Sequence, residues 1–244
     1  MTSAAILVIG NEILSGRTQD ANVAFLGKEL AARGITLAEV RIVRDDRAAI
    51  IAALDALRAA HTYVFTSGGI GPTHDDITSE AVAAAFGVPL ARDSEAVRRL
   101  QSRYGDGELN AARLKMADVP AGASLIDNPV SQAPGFRIGN VFVMAGVPVV
   151  LRAMFESVRH TLAEGPAVLS ASVTMTAREG DIADGLTAIQ DRHPRVEVGS
   201  YPSFNDGRPL VAIVARGTDA AELERVMAET RELAARLGAP VLDG

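Results

Sequence analysis

The segment with the most chemistry in it is Gly68-Gly69-Ile70-Gly71-Pro72-Thr73-His74-Asp75-Asp76-Ile77-Thr78. It starts where a short β-branched apolar run stops and leads into a helical pattern, so it belongs at the carboxyl end of a strand. Gly68, Gly69 and Gly71 let the backbone approach an anion and turn its N–H groups inward. Pro72 shapes the loop, Thr73 and Thr78 add hydroxyls, and the next helix contributes unsatisfied N–H groups and its positive dipole end. Asp75 and Asp76 would repel a bare anion. A divalent cation such as Mg²⁺, held by those two carboxylates, resolves the conflict, because carboxylates plus phosphate oxygens are its usual shell. The same residues also permit a plainer account, a glycine-rich connector in which Asp75 or Thr78 caps the following helix. Neither standard phosphate motif is present: a P-loop needs Gly-Lys-Ser/Thr, and the dinucleotide fingerprint needs Gly where His74 stands.

Three further segments point to the same place. Gly10-Asn11-Glu12 follows the first strand-like run and puts a carboxylate at a strand's carboxyl end, with Asp20 as a cap for the next helix. In Arg44-Asp45-Asp46, Asp46 makes an ordinary N-cap and leaves Asp45 free to face the crevice. Asn128 to Phe136, containing Ala133-Pro134-Gly135, and Ala145 to Pro148 offer turn residues able to close over a ligand. Other chemistry is poorly supported. The four histidines are scattered without a helical pair, no Gly-x-Ser-x-Gly elbow exists, and there is no cysteine. Phe136 and Phe142 read as core residues.

The elements that must position these groups alternate. Strand-like Ala5–Gly10, helical Asp20–Arg33, strand-like Ile35–Val43, helical Asp46–Ala60 and strand-like Thr62–Ser67 predict parallel strands with helices on both faces. Helices near 79–86, across 94–117 and from 149 to about 163 follow, with strand pieces at 136–138 and 141–144. Gly165-Pro166 reads as a boundary. The fold class is therefore α/β, a doubly wound, mainly parallel sheet over residues 1–166. A second, smaller α+β domain follows over 167–244, in the order strand, helix, strand, strand, helix, with Gly207 in its hairpin turn and Tyr201 to Phe204 as a strand end and turn.

Composition sets limits on partners. The net charge of −6 disfavours nucleic acid, and neither half of the chain is basic. The absence of cysteine suits a reducing compartment. No apolar run approaches the roughly 18 residues of a membrane span, and no signal peptide is visible, so the expected location is the cytoplasm.

Taken in order, Gly10-Asn-Glu-Ile-Leu with Asp20-x-Asn22, the Gly68–Thr78 loop, and Ala133-Pro-Gly-Phe136 resemble the molybdopterin-binding domain of the competence/damage-inducible protein A (CinA) family. That domain also occurs in molybdenum cofactor synthesis proteins and in the amino-terminal part of eukaryotic FAD synthases. The second domain, with Gly199-Ser-Tyr-Pro202, resembles the family's small middle domain. The resemblance implies a pterin- or nucleotide-binding cleft and self-association, with a homodimer expected. It assigns functional weight to Asp76 and Asp45. Some family members hydrolyse nucleotide pyrophosphates such as ADP-ribose with a divalent metal, and FAD synthase relatives can cleave FAD. On that basis Asp76, Asp45 and Glu12 are the expected catalytic groups. Asp75 and Asp76 are the expected metal ligands. Gly10, Asn11, Gly68, Gly69, Gly71, Pro72, Thr73, Thr78, Ala133, Pro134 and Gly135 are the expected ligand-binding residues. The sequence departs from the family at Ile70, where Thr is usual, at Ser131-Gln132, where Gly-Thr is frequent, and at Ala145, where Pro is frequent. The departures at Ile70 and Ser131-Gln132 favour the rival expectation, a protein that binds a pterin or nucleotide without turning it over. The chain stops at Gly244, so the amidase domain of longer relatives is not expected in it. The strand–helix–strand–strand–helix order also resembles RNA-binding KH-like folds, but the second domain lacks a Gly-x-x-Gly loop and is acidic.

Overall fold

The computed structural model describes residues 2–105, 107–205 and 207–242. It divides into two compact units, residues 1–165 and 166–244.

The first unit is built on a six-stranded sheet. Strand β1 (Ser3–Ile9) leads through the short helix α1 (Asn11–Leu14) to α2 (Asn22–Ala32), β2 (Thr36–Val43), α3 (Arg47–Ala60) and β3 (Tyr63–Ser67). Helix α4 (Thr78–Phe86), β4 (Leu90–Arg92), α5 (Ser94–Arg103), α6 (Ala111–Lys115) and β5 (Asp118–Pro120) follow, then β6 (Ser124–Ile126), β7 (Gly135–Ile138), β8 (Val141–Met144) and α7 (Pro148–Val158). The strand order is β2-β1-β3-β8-β7-β6. Strands β2, β1, β3 and β8 run parallel, β7 runs antiparallel to β8, and β6, antiparallel to β7, runs in the same direction as the first four. The carboxyl ends of the four parallel neighbours therefore share one rim, followed by Gly10, Arg44, Gly68 and Ala145, and β6 ends at the same rim with Ile126.

Local rules explain the individual elements. Six consecutive residues of β1, Ala4 to Ile9, are buried, as a central strand covered on both faces requires. In α3, Ile50, Ala53, Leu54 and Leu57 recur at helical spacing and are all buried, and the Asp46 side chain caps the helix by accepting from the Ala49 N–H at 2.9 Å. Alternate β1 residues feed two cores. Ala4, Ile6 and Val8 meet Leu26 and Leu30 of α2 and Leu151, Met154 and Phe155 of α7. Ala5, Leu7 and Ile9 meet α3 and α4 on the opposite face. Phe136 and Phe142 are core residues, and Phe142 stacks on Phe65 at 5.1 Å. The doubly wound, mainly parallel sheet expected from the alternation is thus present. Less legible were the antiparallel edge, a separate two-stranded pairing of β4 with β5, and α1. Their strands of three or four residues are too short to show a period.

The second unit carries β9 (Leu169–Met175), α8 (Glu179–Arg192), β10 (Glu197–Asn205), β11 (Arg208–Gly217), α9 (Ala220–Arg236) and β12 (Val241–Leu242). Its antiparallel sheet has the order β10-β11-β9-β12, so β12 adds a strand beyond the expected five elements. Residues 201–204, expected to leave the strand, remain paired with β11 as far as Asn205. β10 is a sheet edge, where the missing N–H of Pro202 is tolerated. Among the described residues no helix is long and apolar enough to cross a membrane.

Within this unit a buried ion cluster ties the end of α8 to α9. His193 Nδ1 lies 2.7 Å from Glu222 Oε1, and Nε2 lies 3.1 Å from Glu229 Oε1. Hydrogen bonding to Glu222 and then Glu229 raises the His193 pKa above its usual 6.5. His193 and then Arg225 lower Glu222 from 4.5 to about 2, and Arg192 and then His193 lower Glu229. The carboxylate contributions are complete above pH 4.5 and are lost as pH falls through the depressed folded values. The histidine contribution is complete below pH 6.5 and is lost as pH rises through its raised folded value. His193→Gln is therefore expected to cost most stability between those two limits. Urea unfolding from pH 5 to 9 checks this, and a wild-type-minus-variant difference that does not shrink at alkaline pH would contradict it.

Candidate functional site

The chain leaves β1 and returns by α2 to β2 on one side, while β3 lies on the other side of β1. The crossovers therefore diverge between β1 and β3, and in open α/β sheets a crevice forms outside the carboxyl ends at such a point. Here it is a cavity of about 560 Å³.

Its floor depends on a close approach. Gly68 has φ 109°, and a Cβ there would lie 2.2 Å from the Ile9 carbonyl oxygen, so only glycine lets the turn after β3 cross the end of β1. The turn is locked from beneath. Thr78, fully buried, donates through Oγ1 to the Gly68 carbonyl at 3.0 Å, and its N–H donates to the Gly69 carbonyl at 3.0 Å. Helix α4 has no side-chain cap, so Thr78 braces the loop and neither it nor Asp75 plays the capping role that the plainer account gave them.

Among the described residues four carboxylates line the cavity: Glu12, Asp45, Asp75 and Asp76. Each is held differently. Asp45 Oδ2 accepts from the Asn11 N–H at 2.9 Å and so fixes the start of α1. Asp76 Oδ2 accepts from the Thr73 N–H at 2.8 Å and from Thr73 Oγ1 at 2.5 Å, which folds its loop back on itself. The Glu12 carboxylate lies over Gly10, where a Cβ would meet Oε1 at 2.5 Å, and it accepts no hydrogen bond among the described residues. Among the described residues no Lys, Arg or His lines the cavity.

The strand order separates this acidic side from an apolar one. Glu12, Asp45 and the aspartate pair follow β1, β2 and β3. The turns around β7 and β8 bring Ala133, Ala145, Val147 and Pro148, and α7 adds Val150 and Met154. Met116 completes the apolar wall. Asn128 organises the turn before β7: its Oδ1 accepts from the Val130 and Ser131 N–H groups, and its Nδ2 donates to Ser131 Oγ and the Ala133 carbonyl. That turn holds Gln132 at φ 63°, the one non-glycine residue with positive φ among those described.

Of the residues expected at the site, Gly10, Glu12, Asp45, Gly68, Gly69, Gly71, Asp75, Asp76 and Ala133 line the cavity. Asn11, Thr73 and Thr78 support it through the hydrogen bonds above. Pro72 is exposed in the loop, and Pro134 and Gly135 are buried at the start of β7, outside the lining. Among the described residues no three His, Asp or Glu side chains converge closely enough to hold a metal ion unaided. A cation here would have to take ligand oxygens into its shell, as Mg²⁺ does with phosphates.

Two supporting residues, Asn22 and Lys115, and the lining residue Met116 were missed. Asn22 is buried, and its Nδ2 donates to Ser67 Oγ and to the Gly146 carbonyl, both at 2.8 Å, which ties the turns after β3 and β8 to α2. Lys115 Nζ donates to the Thr73 carbonyl at 3.0 Å and brings a positive charge beside the loop. For Asn22 the Asp20-x-Asn22 pattern was a usable signal. For Lys115 and Met116 there was none, since only the path of α6 brings them near.

Residues 5–164 match the model described as "Probable molybdopterin binding domain", and residues 167–237 match "FAD synthase, middle domain". The chain belongs to the molybdopterin-binding-domain family. It is of the CinA-like kind. It is 39% identical to a CinA-like protein of Syntrophus aciditrophicus over 88% of its own length and 54% of that protein's. With a protein of Caenorhabditis elegans named "Probable FAD synthase" it shares 32% identity over 96% of its length and 50% of the relative's. The chain thus spans about half the length of these two relatives. The crystal structure of CinA from Thermoplasma acidophilum superimposes with a TM-score of 0.63 at 35% identity, over 66% of this chain and 97% of that one.

Two substitutions test the geometry of the floor and the rim. Gly68→Ala is expected to cost about 2–4 kcal/mol of stability, from the backbone clash and the lost left-handed conformation. Gln132→Gly is expected to gain about 0.5 kcal/mol by removing strain at a positive φ. Thermal and urea unfolding measure both, and an unchanged Gly68→Ala protein would refute the close-packing account.

Proposed function

We propose that the chain binds a phosphate-bearing pterin or nucleotide in this cavity and hydrolyses nucleotide pyrophosphates of the ADP-ribose or FAD type. The observation that carries the reading is the two-sided cavity: a glycine turn and four carboxylates on one side, an apolar methionine-bearing wall on the other. A pyrophosphate suits the first side and a flat heteroaromatic ring the second, where sulfur–aromatic contacts with Met116 and Met154 are favourable. Similarity to a protein named as a probable FAD synthase supports a nucleotide ligand.

An anionic ligand among four carboxylates needs a counter-cation. Asp75 and Asp76 are the residues proposed to hold a divalent ion together with the ligand's phosphate oxygens. When bound, that ion supplies neutralising charge and polarises phosphorus. The backbone N–H groups of the Gly68–Gly71 turn orient the pyrophosphate. Glu12, with no hydrogen bond to satisfy, is the carboxylate able to accept a proton from the attacking water. Water adds across the P–O–P bridge, the bridge bond breaks, and two monophosphates leave. Asp45 acts as a positioning residue, since its carboxylate is engaged with Asn11. The sequence left open whether Asp45 or Glu12 helps Asp75 and Asp76 to hold the metal; in this reading Glu12 is the base and Asp45 a brace.

Two observations favour the alternative, a protein that binds without turnover. Ile70 packs into both hydrophobic cores and offers no hydroxyl to a phosphate, and no ready-made three-ligand metal centre exists among the described residues. Incubation with ADP-ribose or FAD and Mg²⁺ or Co²⁺, read by chromatography for monophosphates and by calorimetry for binding, separates the two. Turnover abolished by chelator supports hydrolysis. Saturable binding without products supports the binder. Asp76→Asn keeps an acceptor oxygen for Thr73 and removes the charge, so the loop should survive while rate falls by about two or more orders of magnitude. Unchanged turnover in Asp76→Asn would discard the assignment.

A further inference from the structure

Strand β12 covers only part of the edge on which it sits. It pairs with Met175 and Thr174, whereas β11 pairs with every residue of β9 from Leu169 to Met175. The outward N–H and C=O groups of residues 169–173 therefore have no strand partner among the described residues. Free edges are ordinarily protected by brevity, charge, proline or a bulge, and the other outer strands of the two larger sheets show these devices. β2 has a register shift beside Ala38 and the charges of Glu39 and Arg41, β6 has three residues, and β10 carries Pro202. The free stretch of β9 reads Leu169-Ser170-Ala171-Ser172-Val173, with no charge and no proline, and its pairing to β11 is unbroken.

A groove of about 510 Å³ runs along this edge, lined by Leu169, Ser170, Ala171 and Ser172. Side chains alternate between the faces of a strand, so four consecutive lining residues place the groove against the backbone edge and not over one face. Its other wall is a stripe of α9 at helical spacing: Ala220, Leu223, Glu224, Met227 and Arg231.

We propose that this groove binds an extended peptide segment of a partner protein, added antiparallel to β9 in the direction that β12 already takes. On the face toward α9 the segment carries an acidic, then an apolar, then a basic side chain. Continuity with β12 fixes the backbone direction, and the helix fixes the order of side chains. β11 ends at Gly217 opposite Leu169, Ala220 opens α9 three residues later, and after α9 the chain returns to pair Val241 with Met175. Helix α9 thus runs from the Leu169 end of β9 to the Met175 end. A peptide running the opposite way meets Arg231 first, Met227 next and Glu224 last. Glu224 and Arg231 are both exposed and seven residues apart, about 10 Å along the helix axis. The first and fifth residues of a strand are about 13 Å apart and point to the same face as the third. Charges at the first and fifth positions, flanking an apolar residue opposite the helix-facing Ala171, therefore complement the groove.

The test uses the complete chain and the end-blocked pentapeptide Asp-Thr-Val-Thr-Arg, followed by amide NMR shifts up to millimolar peptide. Saturable shifts centred on Leu169–Ser172 are expected. The reversed-charge peptide Arg-Thr-Val-Thr-Asp should bind at least about fivefold more weakly. Glu224→Arg combined with Arg231→Glu, two substitutions at exposed positions, should invert that preference. The first peptide with its amides N-methylated should not bind, because the ladder donors are gone. No saturable shift, equal affinity for both charge orders, or shifts confined to other parts of the chain would each overturn the proposal. So would amide protection at Leu169–Ser172 that grows with the concentration of the chain alone, which places a second copy in the groove.

Discussion

The site depends on two chain segments passing closer than any side chain would permit. The turn after β3 crosses the end of β1 with Gly68 almost touching the Ile9 carbonyl, and this contact fixes the glycine loop against the first strand. Everything polar at the cavity is referenced to that crossing. Thr78 braces the loop from below, Asn22 ties it to the turn after β8, and Asp76 closes its far end on Thr73. The interior hydrogen bonds are expensive to leave unmade, so the loop is held in one shape before any ligand arrives.

Electrostatics then shapes what the loop can accept. A glycine turn at the end of a parallel strand favours an anion, yet the surrounding lining is acidic. Under the proposed function, a cation shared between the ligand's phosphate and the carboxylates would reconcile the two tendencies. The differing hydrogen bonds of the four carboxylates matter here. Groups of one chemical type acquire different environments because Asp45 and Asp76 accept hydrogen bonds from the protein and, among the described residues, the Glu12 carboxylate does not. The second unit shows the opposite use of charge: His193, Glu222 and Glu229 satisfy one another in a cluster that joins two helices and leaves little for a ligand.

Much of the fold was legible because its period was long enough to read. Helix α3 shows four buried positions at helical spacing, and β1 shows six consecutive apolar residues. The pieces that escaped were short or paired at a distance. β6 has three residues and β12 two, and no local pattern says that either joins a sheet. The extension of β10 through Pro202 was misjudged because proline argues against a strand unless the strand lies at an edge, and edge position is a property of the whole sheet.

The sequence by itself determined the class of sheet, the glycine loop at a strand end and the family of the chain, because these follow from periodicity and from residues adjacent along the backbone. Only the tertiary structure decided which carboxylate is free, that Thr78 braces the loop, and that Met116 and Met154 form an apolar wall facing four acids. Those properties arise between residues far apart in the chain, and they exist only once strand order and helix packing have brought the residues together.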